Sequence, residues 1–176
     1  DVVAIHTKEN YHCVQPGDGT EYSARAILIA TGSRYRRLNV PGENEFTGAG
    51  VHFCATCDGP FYRGKRVAVV GGGNSATEES LLLTKFAESV TMLVRSGEFR
   101  ATKIIQESVL SHPNIEVLWH TEVKEFMGEE AKLKKIRIVN NQTGAGEELP
   151  IDGVFIFIGL EPNSEFLEGS GVLLDE

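Results

Sequence analysis

Apolar positions along the chain follow two patterns, alternation with polar residues and unbroken apolar runs, and their succession predicts the elements. Tyr11-His-Cys-Val alternates ahead of the turn residues Pro16-Gly-Asp-Gly19, and Ala26-Ile-Leu-Ile-Ala-Thr-Gly32 is apolar almost throughout. Alternation marks a strand with one wet face, and a continuous run marks a strand buried on both faces. This part therefore reads as a hairpin leading into a buried core strand. From Arg34 to Gly50 the apolar period is lost among basic residues and Pro41-Gly42, which reads as a linker.

The next block is more regular. Arg66-Val-Ala-Val-Val70 predicts a buried strand, Gly71-Gly-Gly73 a turn, and Asn74 to Ala87 a helix whose Ala76, Ser80, Leu83 and Ala87 share one face. Val90 to Val94 is the following strand, and a strand, helix, strand unit of this length requires parallel pairing. Ala101 to Ser111 predicts a second helix closed by Pro113, and Ile115 to Trp119 a third parallel strand. The period then changes. Thr121 to Phe126, Leu133 to Val139 and Glu147 to Ile151 read as antiparallel strands, with Asn140 to Gly144 as a hairpin loop and Lys132-Leu-Lys-Lys135 as a solvated strand edge. Val154 to Ile158 returns to a central strand before Gly159 and a turn at Pro162-Asn163. The fold class is α/β and Rossmann-like, a parallel sheet with helices and an antiparallel excursion, with strand remnants of a second domain at its ends.

Composition narrows the function. A length of 176 residues bounds about one domain. With 41% hydrophobic and 24% charged residues, the chain is an ordinary globular one, neither disordered nor fibrous. The net charge of −8 excludes a general nucleic-acid surface. The longest uncharged apolar runs, Ala26–Ala30 and Gly153–Leu160, fall short of the roughly 18 residues of a membrane span. The start at Asp1 has neither an initiator methionine nor a basic signal region, so the chain reads as a piece of something longer, and as cytoplasmic. Its 19 glycines cluster without a period, which excludes a repeat architecture. Three cysteines do not make a secreted disulfide framework, yet Cys54 and Cys57 form a C-x-x-C.

Two constellations carry chemistry. In Gly71-x-Gly73-x-x-Ala76, between strand and helix, the first glycine permits the turn. The second admits a pyrophosphate, the small third residue lets helix and strand pack closely, and phosphate sits at the helix N-terminus. About 20 residues on, where a carboxylate would select NAD, stands Val94-Arg95-Ser96-Gly97-Glu98-Phe99-Arg100. Arg95 and Arg100 suit a 2′-phosphate and favour NADPH over NADH; the plainer reading is two solvated arginines. The second constellation is Cys54-Ala-Thr-Cys57-Asp58. Two thiols at this spacing can form a redox disulfide, with Asp58 as proton donor or acceptor. Alternatives are a zinc site recruiting His52, or Cys13 and His12, and a structural pair of buried cysteines. His6, His112 and His120 receive no role, and Trp119 reads as packing.

With both constellations in view, nearly the whole chain resembles the central part of the low-molecular-weight bacterial thioredoxin reductases, within the flavin-dependent pyridine nucleotide-disulfide oxidoreductases. The resemblance rests on Ala30-Thr-Gly32, Cys54-Ala-Thr-Cys-Asp58, Val67 to Asn74 with Glu78-Glu79, Phe99-Arg100-Ala101 and Ile158-Gly-Leu-Glu-Pro-Asn163. It implies residues 1–47 as part of an FAD domain and linker, 48–160 as an inserted NADPH domain with the dithiol, and 161–176 as the return to the FAD domain. It also implies electron flow from NADPH through FAD to the Cys54–Cys57 disulfide and on to thioredoxin or a similar disulfide protein. Cys57 would face the flavin, Cys54 would attack the partner and Asp58 would be the general acid or base. Asn74, Ser75, Glu79, Ile158 and Gly159 would join the glycines and arginines at the cofactor, no metal would be held, and the full-length enzyme would be a homodimer. Where the family shows His-Arg-Arg, this chain has Val94-Arg95-Ser96, which leaves NADH possible. The family's FAD glycine motif and C-terminal FAD segment are not among these residues, so the chain alone is expected not to turn over. The flavoprotein subunit of an alkyl hydroperoxide reductase, and a non-catalytic nucleotide- or zinc-binding module, are the competing readings.

Overall fold

A computed structural model describes residues 1–174. In chain order the strands begin with β1 (Val2–Thr7), β2 (His12–Pro16), β3 (Tyr22–Ala24) and β4 (Ser33–Tyr35). There follow α1 (Glu43–Phe46), β5 (Val51–His52), α2 (Ala55–Asp58), a 3-10 turn over Gly59–Tyr62, β6 (Arg66–Val70), α3 (Asn74–Leu83), β7 (Ser89–Val94), α4 (Lys103–Leu110) and β8 (Ile115–Trp119). The chain closes with β9 (Thr121–Glu129), β10 (Lys132–Asn140), β11 (Gly146–Pro150), β12 (Gly153–Ile156) and β13 (Leu160–Pro162). It divides into two compact units, Asp1–Arg34 with the described residues from Leu160 onward, and Tyr35–Gly159.

The larger unit is built on a five-stranded, wholly parallel sheet of order β5-β12-β6-β7-β8. Side chains alternate across a strand, and this explains why β6 is apolar on both faces. Val67 and Val69 pack with Ala76, Leu83 and Val109 of the helical layer, whereas Ala68 and Val70 pack with Phe126, Ile136 and Ile138 of the antiparallel meander β11-β10-β9. The sheet is thus sandwiched between helices and a second sheet, and the α/β class expected from the pattern is what folds. On α3 the predicted face is the buried one: Ala76, Ser80, Leu83 and Ala87 are all shielded. The helix itself ends at Leu83, and Ala87 is reached through a turn in which its N–H donates to the Leu83 carbonyl at 2.8 Å.

Several expectations are corrected. Residues 26–32 form no strand, and Leu28 is 90% exposed. An apolar run is buried only where neighbours cover both of its faces, and no described strand pairs with this one. The presumed linker holds β4, α1 and two core residues. Phe46 enters the meander core, and the buried Glu43 carboxylate accepts the N–H groups of Leu38 and Asn39 at 3.1 and 2.6 Å. Charge and proline hid this segment because its order comes from one carboxylate satisfying backbone donors. Lys132–Lys135 lies on the central strand of its sheet, not an edge, because the loop after Asn140 folds β11 alongside. Leu133 and Ile136 point inward, and Lys135 pairs with Glu148 at 2.6 Å. Pro162 ends β13, which pairs with β4 instead of forming a turn there. Among the described residues no helix is long and apolar enough to cross a membrane.

Candidate dinucleotide and dithiol site

In the parallel sheet the strand succession runs outward from β6 through β7 to β8, while β12 and β5 lie on the other side of β6. Strand order therefore reverses between β12 and β6, and open α/β sheets hold ligands beyond the carboxyl ends of the strands at such a switch point. Gly71–Gly73 leaves β6 there, and Phe157 to Gly159 leaves β12 beside it, with the Phe157 N–H on the Val70 carbonyl at 2.8 Å. Gly71 has φ +140°, and a Cβ at this position would collide with the Phe157 carbonyl oxygen and stand 2.9 Å from the Ala76 Cβ. At Gly73 the opposite holds: a Cβ would meet nothing within 4 Å, and no side chain caps α3. Open space in front of an uncapped helix start fits a pyrophosphate.

The two arginines reach the same edge. Arg95 follows β7, and its carbonyl accepts from Asn141 Nδ2 at 2.9 Å. The Arg100 N–H donates to the Gly72 carbonyl at 2.8 Å, which fixes that loop against the glycine turn, and Phe99 beneath it meets Trp119 edge to face at 4.6 Å. Both arginine side chains are exposed. The Asn74 Oδ1 accepts from the Thr102 N–H at 2.9 Å, tying the start of α3 to that of α4, and Ser75 is exposed beside it. Ile158 is half-buried against the meander core, and Gly159 has φ +108°.

Glu79 lies one turn into α3, half-buried, with Oε2 buried and without a hydrogen-bond partner among the described residues. Burial, with Glu78 adding to it, pushes its carboxyl above the ordinary range. An orphaned carboxyl oxygen near a nucleotide cradle is a ready acceptor for a ligand. Because the folded value is raised, its contribution to stability is full at acid pH and is lost as pH rises through the folded value. Glu79→Gln should therefore raise the melting temperature at pH 8 by about 2 °C and change it little at pH 4, measured by calorimetry on the chain.

The dithiol sits at the carboxyl end of β5, on the same edge of the same sheet. Cys54 caps α2, its sulfur accepts the Cys57 N–H at 3.2 Å, and the two cysteines are joined as a disulfide. Cys57 is exposed and Cys54 half-buried. α2 packs on the far end of α3, where Gly59 approaches Leu83 and Phe86. Asp58, half-buried, has Oδ2 3.2 Å from His52 Nδ1. His52, considered above as a zinc ligand, is 8% exposed and committed on both nitrogens, its Nε2 standing 2.6 Å from the Tyr62 hydroxyl. Burial lowers the histidine despite the opposing Asp58, and burial, helped by Asp58 and Asp152, pushes the Tyr62 hydroxyl up to about 12. This trio escaped the sequence reading because its members come from a strand, a helix end and a turn. No cluster of three or more metal-ligating side chains occurs among the described residues.

A parallel α/β unit with an open glycine turn and a disulfide on one sheet edge has the parts expected of a nucleotide-binding disulfide protein. Residues 1–176 match the family model described as pyridine nucleotide-disulphide oxidoreductase, and the chain belongs to that family. It is 41% identical over 176 residues to thioredoxin reductase of Bacillus subtilis, covering 100% of this chain and 55% of that protein. Its identity to thioredoxin reductase of Streptomyces coelicolor is 40% over 169 residues, covering 96% and 52%. The crystal structure of Lactococcus lactis thioredoxin reductase in its FR conformation superposes with a TM-score of 0.88 at 37% identity, over 98% of this chain and 56% of that one. The chain spans about half the length of the curated relatives it matches.

Proposed function

We propose that this chain is the nicotinamide- and dithiol-bearing part of an NADPH-dependent flavin disulfide reductase of the thioredoxin reductase type. The observation that carries the reading is the placement of Gly71–Gly73 and the Cys54–Cys57 disulfide on the same carboxyl edge of one parallel sheet. Relatives named thioredoxin reductase support it. The unit Tyr35–Gly159 is the nicotinamide domain in this reading, and the other unit is a portion of an FAD domain. The described residues hold one glycine cradle, which suits the nicotinamide cofactor. In full the protein would be a cytoplasmic homodimer that reduces thioredoxin or a similar disulfide protein.

Gly71 and Gly73 would admit the pyrophosphate, the start of α3 at Asn74, Ser75 and Ala76 would hold it, and Arg95 and Arg100 would clamp the 2′-phosphate. Glu79, Ile158 and Gly159 would line the nicotinamide end. When bound, NADPH and FAD would supply the two electrons that, with two protons, convert the Cys54–Cys57 disulfide into two thiols. The Cys54 thiol would then give its proton to the Asp58 carboxylate and attack the partner disulfide, and one partner sulfur would leave with that proton from Asp58. Cys57 returns a proton to Asp58, attacks Cys54, re-forms the bridge and releases the second partner sulfur, which takes up a proton. Net, one dithiol and one disulfide exchange two electrons and two protons.

Calorimetric titration of the chain with NADPH and NADH tests the cofactor assignment. Arginine hydrogen bonds to a phosphate should make NADPH bind about tenfold more tightly. Arg95→Ala or Arg100→Ala should remove most of that preference and leave NADH affinity unchanged. Equal affinities in the parent chain would demote both arginines to solvated loop residues.

A further inference from the structure

Nothing in the electron route above uses His52 or Tyr62, yet the fold buries both beside the dithiol segment. The His52 ring lies 5.3 Å from both the Tyr62 and the Phe155 rings, so it is held in place by packing as well as by its two polar contacts. One proton arrangement satisfies both contacts when Asp58 is a carboxylate. A carboxylate only accepts, so the imidazole hydrogen must be on Nδ1, 3.2 Å from Asp58 Oδ2. Nε2 is then a bare acceptor, and among the described residues the donor facing it is the Tyr62 hydroxyl at 2.6 Å. The elevated Tyr62 hydroxyl keeps its proton, and the lowered His52 stays neutral, as this arrangement requires. With Oδ2 engaged in this way, Asp58 Oδ1 has no hydrogen-bond partner among the described residues.

The geometry points to His52 as a positioning residue that, braced by Tyr62, holds Asp58 with one oxygen engaged and the other turned out to exchange protons during thiol chemistry. The proposal rests on the reading of Asp58 as the general acid or base. His52 touches neither sulfur; it acts through Asp58, as a second hydrogen-bonded group commonly orients the group that moves the proton. Tyr62 in turn fixes which nitrogen of His52 bears hydrogen.

The test uses the chain reduced with a phosphine, desalted, and mixed with an aliphatic disulfide such as bis(2-hydroxyethyl) disulfide, whose leaving thiolate needs a proton. Re-formation of the Cys54–Cys57 bridge is followed by alkylation and mass spectrometry. His52→Ala should slow the exchange roughly tenfold, and His52→Asn, which keeps a donor for Oδ2, should recover much of the rate. In an Asp58→Asn background, His52→Ala should add nothing, because its effect passes through the carboxylate. Tyr62→Phe, which keeps the ring packing, should shift the His52 nitrogen resonances away from a pure Nδ1–H tautomer. Equal slowing by His52→Ala in both backgrounds, or failure of His52→Asn to recover any rate, would overturn the positioning role. If Asp58→Asn slows exchange but His52→Ala does not, only this proposal falls; if Asp58→Asn leaves the rate unchanged, the acid-base reading of Asp58 falls with it.

Discussion

Serine at either Cys54 or Cys57 is expected to cut disulfide reduction by the flavin-loaded protein that carries this chain by at least about a thousandfold, measured as NADPH oxidation with a disulfide protein substrate. In the proposed reading the two sulfurs act as one two-electron carrier. With either replaced, the electrons that arrive have no disulfide to reduce, and the remaining thiol can join a partner only as a mixed disulfide that nothing resolves. The fold should tolerate both changes, since serine is nearly isosteric and the bridge closes a loop of only four residues. NADPH affinity should also stay the same, because the cradle and the dithiol lie at the ends of different strands. The two variants should differ in one respect. Cys57→Ser leaves Cys54 free to attack and should trap a covalent adduct with the partner, detectable by mass spectrometry, whereas Cys54→Ser should not. Turnover persisting in either variant, or an adduct formed only through Cys57, would overturn the assigned roles.

The parts of the fold that were legible in the sequence are those whose burial is supplied locally. Val67 to Val70 and Val90 to Val94 are apolar on both faces because each is covered by helices on one side and the meander on the other, and both coverings belong to the same unit. Ala26 to Gly32 has the same composition and fails as a strand, because no described strand pairs with it and Leu28 is left uncovered. An apolar run reports a requirement for cover; it does not say where the cover is. The opposite error occurred at Glu43, where polar composition concealed an ordered segment. Its carboxylate satisfies two backbone donors, an interaction that no hydrophobic period records.

The site divides along the same line. Gly71, Gly73, Arg95, Cys54 and Cys57 were visible because each lies within five residues of the end of its strand, so sequence order and position on the sheet edge coincide. His52, Asp58 and Tyr62 are within ten residues of one another, yet their meeting depends on how the chain turns from β5 through α2 to the 3-10 segment. Glu79 was carried only by family likeness; its orphaned oxygen became apparent once α3 was placed against the sheet.

Alanine at Gly71 should destabilise the chain by about 3 kcal/mol or more, lowering its melting temperature by about 10 °C, and should abolish NADPH binding. Two costs add at this one position. Its φ of +140° lies where side chains are rarely tolerated, and the new methyl would be driven into the Phe157 carbonyl oxygen and against Ala76. Relief requires β6 and β12 to part, which breaks the bond from the Phe157 N–H to the Val70 carbonyl at the point where strand order reverses. Gly73→Ala is the counter-experiment. At φ −90° and with nothing within 4 Å of the new methyl, it should leave the melting temperature within about 1 °C while filling the space a pyrophosphate needs. Two glycines two residues apart thus carry separable demands, one from the packing of the sheet and one from the ligand. A Gly73→Ala chain that keeps both its stability and its NADPH affinity would place the pyrophosphate elsewhere. A Gly71→Ala chain that melts with the parent would mean that the turn has more room than the approach of Phe157 allows.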